Sequence, residues 1–153
     1  MVDHNLVAGT PVPWTFLTDP ALLGSMVRRR DERALDAMLY LWKLFARGRT
    51  GSLALRYDAA AKLLGMADMG REGYRRQINK TLRKLDAVYR LIDAETAFGG
   101  DARIALRRGR TGRRGAARIS EKYWDYGWNK ILRLRGKTAY LINVAVCLRD
   151  SCL

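Results

Sequence analysis

Residues 74–92 read YRRQINKTLRKLDAVYRLI, and this stretch decides the fold that we expect for the chain. Its apolar side chains recur every three or four positions, as on one face of an α-helix, and the opposite face is almost wholly cationic. Like charges four residues apart repel each other, so the pattern does not maximise the helix's own stability. It indicates a helix over residues 71–87 whose polar face meets an anion. The apolar face carries Tyr74, Ile78, Leu82, Leu85 and Tyr89, and the polar face carries Arg76, Asn79, Lys80 and Arg83, flanked by Arg75 and Lys84.

Two strand-like segments follow this basic helix. They are VYRLIDAETA (88–97) and ARIALRR (102–108), and the sequence FGGD lies between them. Gly99, Gly100 and Asp101 tolerate the positive φ angles that a tight hairpin turn requires. The sequence therefore predicts a β-hairpin directly after the basic helix.

The segment before the basic helix predicts a helix, a strand and a second helix. Residues 31–47 place Leu35, Met38, Leu39, Trp42 and Phe45 at helical spacing, and Gly48 and Gly51 end that helix. Residues 52–57, SLALRY, alternate as a half-buried strand does. Asp58 is the expected N-cap of a compact helix over 59–64, which Gly65 closes.

The two ends of the chain carry weaker patterns. Residues 1–30 contain all three prolines and no periodicity, which predicts an extended arm pinned to the core by Trp14, Phe16 and Leu17. Residues 121–153 predict an aromatic segment followed by an apolar helix. Of the aromatic residues Tyr123, Trp124, Tyr126 and Trp128, core packing or a subunit contact is the favoured role, and stacking on bases is the alternative.

Length and charge restrict the class of protein. A chain of 153 residues has room for one domain with a core, and 29 Lys and Arg against 15 Asp and Glu leave a net charge of +14. Such a surplus repels itself unless a polyanion neutralises it, and nucleic acid is the expected one. Because no run of about 18 apolar residues and no export signal is present, we expect a cytoplasmic, nucleoid-associated protein without a membrane partner.

Catalysis and metal binding lack the residues that they need. The chain has two cysteines and one histidine, too few for a tetrahedral zinc site, and no nucleophile and base stand at an arguable spacing. Gly136, Lys137 and Thr138 end like a phosphate-binding loop, but Ile131 occupies the position of its first glycine. We therefore expect neither an enzyme nor a cofactor.

The stretch 106–119, LRRGRTGRRGAARI, holds six arginines and three glycines without an acidic residue. A flexible linker is one interpretation, because these residues cannot bury an apolar core. An arginine-rich extension of the hairpin that follows a DNA backbone or minor groove is the second, and RNA binding is the third. Residues 109–120 are expected to form a basic loop.

Taken in order, the predicted elements resemble a winged helix-turn-helix domain. LRYDAAAKLLGM resembles the first strand and positioning helix, residues 74–92 resemble the recognition helix and first wing strand, and FGGD resembles the turn of the wing. The link MADMGREG is longer than the tight turn of the family. The resemblance implies an α+β fold over residues 31–108 with an extra C-terminal helix.

The resemblance also implies roles for the basic residues. Arg75, Arg76 and Asn79 would read bases in the major groove, and Lys80, Arg83 and Lys84 would contact phosphates. The further DNA-binding candidates are Arg71, Arg103, Arg107, Arg108, Arg110, Arg113, Arg114 and Arg118.

An internal echo suggests a narrower group. The segment after Trp14 is similar to the segment after Trp124, so the C-terminal part repeats the entry to the domain. Tandem winged domains with such entries resemble plasmid and phage replication initiators. A homodimer contact through residues 121–153 is the preferred alternative. The functions that follow are a sequence-preferring transcriptional regulator or initiator, an RNA or single-strand binder, or a non-specific architectural DNA-binding protein.

Overall fold

The computed structural model describes residues 9–48, 51–96, 99–107 and 117–150, with side chains up to residue 147. Over these ranges the chain is an α+β protein with eight α-helices and five short strands. The strands are β1 (Thr10–Val12), β2 (Ser52–Leu55), β3 (Ile92–Glu95), β4 (Ala102–Leu106) and β5 (Ala117–Ile119). The helices are α1 (Trp14–Thr18), α2 (Leu23–Arg28), α3 (Glu32–Arg47), α4 (Tyr57–Leu63), α5 (Gly70–Ala87), α6 (Lys122–Asp125), α7 (Trp128–Ile131) and α8 (Leu134–Asp150).

Helix α3 is the centre of the core. Asp31 caps it by accepting a hydrogen bond from the Ala34 amide at 3.3 Å, as the sequence of the first turn favours. Most of the helix is buried, because other elements cover it on several sides. Helix α5 packs against it through Ile78, Leu82 and Leu85, so the predicted apolar face of the basic helix is confirmed.

A three-stranded antiparallel sheet lies beside α5, with the strand order β2-β4-β3. The predicted hairpin is confirmed, since β3 pairs with β4, and Ile104 lies opposite both Ala94 and Leu53. Gly99 has a φ of 77° in the connecting turn, a conformation that glycine adopts at little cost. The sheet therefore joins the strand before α4 to the hairpin after α5.

The expected start of α4 is wrong by two residues. Arg56 is its N-cap, and Asp58 lies in the first turn, where it pairs with Arg56 at 3.0 Å. A carboxylate in the first turn interacts favourably with the helix dipole without capping the helix. The long link after α4 contains a single 3-10 turn, Ala67–Met69, before α5 begins at Gly70.

The prediction of an extended N-terminal arm is also wrong. The described part of residues 1–30 forms β1, α1 and α2. Strand β1 pairs with β5 near the other end of the chain, a long-range partner that local periodicity does not reveal. A Cβ at Gly9 would lie 2.6 Å from the Ile119 carbonyl oxygen, so this pairing needs glycine there. Phe16 does pin the segment, because its ring packs edge-on against Trp42 at 4.9 Å.

The prediction of a basic loop over residues 109–120 is wrong for residues 117–119. Ala117–Ile119 is β5, and both Ala117 and Ile119 are fully buried beneath the pairing with β1. Residues 108–116 lie outside the described residues. The C-terminal helix is confirmed as α8.

The internal echo in sequence corresponds to a repeated order of elements. Strand β1, short helices α1 and α2, and long helix α3 are matched by strand β5, short helices α6 and α7, and long helix α8. The two strands pair antiparallel, with Thr10 opposite Ile119 and Val12 opposite Ala117. The two entry segments therefore meet at one small sheet.

Candidate nucleic-acid interface

The outer face of α5 carries a row of exposed cations. Arg76, Lys80 and Arg83 lie one helical turn apart and point away from the buried side of the helix. Among the residues that the structure describes, none of the three has a carboxylate partner. This outer row is therefore available to an anion, whereas most other charges of α5 are held within the protein.

Arg75 and Asn79 lie on the side of α5 that faces α4 and the hairpin turn. The Arg75 guanidinium stacks over the Tyr57 ring at 4.1 Å and donates a hydrogen bond to the Gly100 carbonyl oxygen at 2.9 Å. The Tyr57 hydroxyl donates a hydrogen bond to Asn79 Oδ1, and burial raises the pKa of Tyr57, so it keeps this proton. These contacts join α4, α5 and the hairpin turn into one unit.

Lys84 turns toward the core side of α5. Its ammonium group lies 2.9 Å from Asp31 Oδ2, which also accepts a hydrogen bond from the Tyr89 hydroxyl at 2.9 Å. Burial and this carboxylate raise the pKa of Tyr89. Lys84 thus links α5 to the capping residue of α3.

Arg107 is held at the base of the hairpin. Its guanidinium lies 2.7 Å from Asp86 Oδ1 and 3.2 Å from Asp93 Oδ1, and its Nε donates to the Ile92 carbonyl oxygen at 2.9 Å. These bonds tie β4 to β3 and to the end of α5. Arg107 is therefore a structural residue of the hairpin in this structure.

The remaining DNA-binding candidates are exposed, half-buried or outside the described residues. Arg71 is exposed in the first turn of α5, and Arg103 is exposed on β4 opposite Glu95. Arg118 is half-buried in β5 opposite Pro11. The four arginines that lie outside the described residues are Arg108, Arg110, Arg113 and Arg114.

The aromatic residues of the C-terminal segment divide into two pairs. Tyr123 and Trp124 are buried, and the Trp124 indole donates a hydrogen bond to Thr10 Oγ1 at 3.2 Å. Tyr126 and Trp128 are 60% and 37% exposed. Core packing is therefore confirmed for the first pair.

Lys137, the lysine of the loop-like sequence, is buried inside α8 with 1% of its side chain exposed. Its ammonium group lies 2.8 Å from Glu32 Oε1, 2.8 Å from Asp36 Oδ1 and 2.9 Å from Asp36 Oδ2. One buried cation thus holds two carboxylates of α3. Desolvation outweighs the attraction of Lys137 and raises the pKa of Asp36 from 3.8 to about 6.

This raised pKa predicts a pH dependence of stability. Between about pH 4 and 6 the native state keeps a proton that the unfolded chain releases, so the free energy of unfolding falls as pH rises through this window. Between pH 4 and pH 6.5 we expect the free energy of unfolding of the wild type to fall by on the order of 2 kcal/mol relative to that of Asp36→Asn. Urea denaturation at several pH values measures this difference. Asp125→Asn, at an exposed site, is the control, and parallel curves for wild type and Asp36→Asn would contradict the prediction.

Sequence patterns did not single out four residues that the structure places beside α5. The sequence predicts Tyr57 only as a strand residue and Arg33 only as a polar residue of the helix over 31–47. Arg30 and Arg133 belong to segments without a clear motif. The RRR run at 28–30 was the one local signal of charge there. Their positions depend on the packing of distant segments.

Comparisons with protein-family models, with curated proteins and with solved structures give no match to this chain. Within the described residues, no helix has the length and apolar character needed to cross a membrane.

Proposed function

We propose that this chain is a winged helix-turn-helix protein that binds duplex DNA with a sequence preference. The order α3, β2, α4, α5, β3, β4 and the sheet order β2-β4-β3 support this class. The observation that carries the function is the outer row of α5, where Arg76, Lys80 and Arg83 are exposed without a carboxylate partner among the described residues. A helix with this face fits the major groove, and the hairpin beside it extends the contact.

Within this class, the biological role that we propose is a transcriptional regulator or a replication initiator of a mobile element. The repeated order of strand, two short helices and long helix favours the initiator, because tandem winged units bind repeated origin sites. Selection of bound fragments from genomic DNA tests the choice. Clustered repeats support the initiator, and single sites upstream of genes support the regulator.

The contacts within the protein change the roles proposed for individual residues. Arg76 is the proposed base reader, because its guanidinium is free to donate two hydrogen bonds to guanine. Lys80, Arg83, Arg71 and Arg103 are proposed phosphate contacts. Arg75, Asn79, Lys84 and Arg107 position the helix and hairpin through the contacts described above.

A salt titration against a selected duplex, a random duplex and a single strand tests the proposed function. Counterion release weakens all binding as salt rises, but a sequence reader keeps a preference of about 10³-fold or more for one duplex. Equal affinity for every duplex would instead favour an architectural protein. Preference for a single strand would favour an RNA or single-strand binder, for which the exposed rings of Tyr126 and Trp128 offer stacking surfaces.

The arginines of the undescribed segment are expected to add charge without sequence specificity. Replacing Arg110, Arg113 and Arg114 by serine should lower affinity for all duplexes alike and reduce the slope of log K against log salt by up to about 3. Fluorescence anisotropy at several salt concentrations measures both values. An unchanged slope would mean that this segment does not contact DNA. Serine replacement is preferred to deletion of residues 109–117, because that deletion would remove Ala117, the first residue of β5.

We further propose that α8 mediates a homodimer. Ile142 and Val146 are exposed on one face of this helix, 47% and 49% respectively. Paired winged domains read two half-sites, which doubles the number of base contacts. Sedimentation should show a dimer for the wild type and a monomer for Ile142→Asp, with Lys122→Asp as the surface control. A wild-type monomer at about 100 μM would contradict this proposal.

A further inference from the structure

A cavity of about 440 Å³ lies beside α5, on the side away from the hairpin turn. Four segments form its walls: the junction between α2 and α3, the link after α4, one face of α5, and the junction between α7 and α8. The residues that carry charge or polar groups into it from α5 are Gln77, Lys80, Thr81 and Lys84. Arg75, by contrast, binds the hairpin turn from the other side of the helix.

Around this cavity the carboxylates are paired with lysines, whereas four cations have no carboxylate partner in the part of the chain that the structure describes. Its three carboxylates are already engaged, Asp31 by Lys84 at 2.9 Å, and Glu32 and Asp36 by Lys137 at 2.8 Å. The four exposed cations at its edge have no carboxylate partner among the residues described. They are Arg30, Arg33, Lys80 and Arg133.

Arg30 also has an unusual backbone. Its φ is 54°, at the residue that follows the C-cap of α2, where the Asp31 amide bonds back to the Met26 carbonyl oxygen at 2.8 Å. Glycine is the usual residue in this left-handed position because it has no Cβ. An arginine there places a guanidinium at the cavity edge at a backbone cost that glycine would not have.

We propose that this cavity binds phosphate groups. Three arginines and one lysine line it without a carboxylate partner among the described residues, and guanidinium forms paired hydrogen bonds with phosphate oxygens. The volume lies within the range of about 300–1,000 Å³ that is typical of small-molecule sites. The phosphate belongs either to a free phosphorylated small molecule or to a nucleic-acid backbone that leaves the outer row of α5. The second source rests on the proposed function, and the first does not.

Titration calorimetry with inorganic pyrophosphate at low salt tests the first source. The wild type should bind it saturably, and Arg33→Ala with Arg133→Ala should raise the Kd by about tenfold or more, because each removes a charged hydrogen-bond donor. Lys122→Ala with Lys130→Ala removes the same net charge at exposed sites that do not line the cavity and should leave the Kd within about twofold. Arg30→Gly removes a third charge without straining the backbone and should also weaken binding. All these sites are exposed, so the variants should remain folded.

The same variants titrated with duplex DNA separate the outcomes. If pyrophosphate does not bind, but Arg33→Ala with Arg133→Ala weakens duplex binding about tenfold and lowers the salt slope by about 2, the phosphate comes from the backbone. If neither ligand distinguishes these variants from the control pair, the phosphate-binding cavity is overturned. Pyrophosphate binding by a wild type that binds no duplex would keep the cavity and refute the proposed function instead. A wild type that binds duplex DNA but not pyrophosphate, with duplex binding that the cavity variants leave unchanged, would refute the cavity and keep the proposed function.

Discussion

Replacing Arg76 and Arg83 together by alanine is expected to weaken binding to the preferred duplex by about a hundredfold or more. Each arginine contact with a base or phosphate contributes about 1–3 kcal/mol, and the two sites lie two helical turns apart, so their losses should nearly add. Both side chains are exposed and have no carboxylate partner among the described residues, so the fold should not change. Binding is measured by fluorescence anisotropy at fixed salt.

The single variants separate the two roles. Arg76→Ala should reduce the preference for the selected duplex more than the affinity for random DNA, since it removes a base contact. Arg83→Ala should weaken both equally and lower the salt slope by about 1. Lys122→Ala with Lys130→Ala, at exposed sites outside α5 and α8, loses the same charge as the double variant and is the matched control. If this control loses as much affinity as the double variant, binding depends on net charge and not on the outer row of α5.

Replacing Lys137 by methionine is expected to lower the free energy of unfolding by about 3–5 kcal/mol at pH 7. The methionine fills a similar volume but leaves Glu32 and Asp36 near each other without their shared cation. Buried carboxylates without a partner have a high desolvation cost. The loss should shrink toward pH 4, because Asp36, whose pKa is already raised to about 6, takes up a proton more readily without Lys137.

Urea denaturation at pH 7 and pH 4 measures this effect. Lys130→Met, at an exposed position, is the control and should change stability by no more than about 0.5 kcal/mol. A variant that combines Lys137→Met with Glu32→Gln and Asp36→Asn should recover much of the loss, since no uncompensated charge then remains. An equal loss for Lys137→Met at both pH values would mean that packing, and not charge, explains it.

The elements that the sequence predicted correctly are defined by patterns among residues only a few positions apart. Ile78, Leu82 and Leu85 define α5 by spacing alone, and Gly99 marks the hairpin turn because few other residues tolerate its φ. The arm expected before α3 was wrong because β1 is stabilised by β5, a strand that lies more than half the chain away. A three-residue strand has no periodicity long enough to detect. The assignment of Asp58 as N-cap failed because the helix begins earlier, and Asp58 binds Arg56 instead.

Sequence patterning by itself determined that this chain has a basic helix followed by a hairpin, because helical and strand periods are local properties of neighbouring residues. Tertiary structure alone decided which of the basic residues are free. Arg75 binds the Gly100 carbonyl, Lys84 pairs with Asp31, and both partners come from other parts of the chain. Charge is a property of each side chain, whereas its availability to a ligand depends on what the fold places beside it. For this reason the cationic face read from residues 74–92 reduces, in the folded protein, to the outer row of Arg76, Lys80 and Arg83.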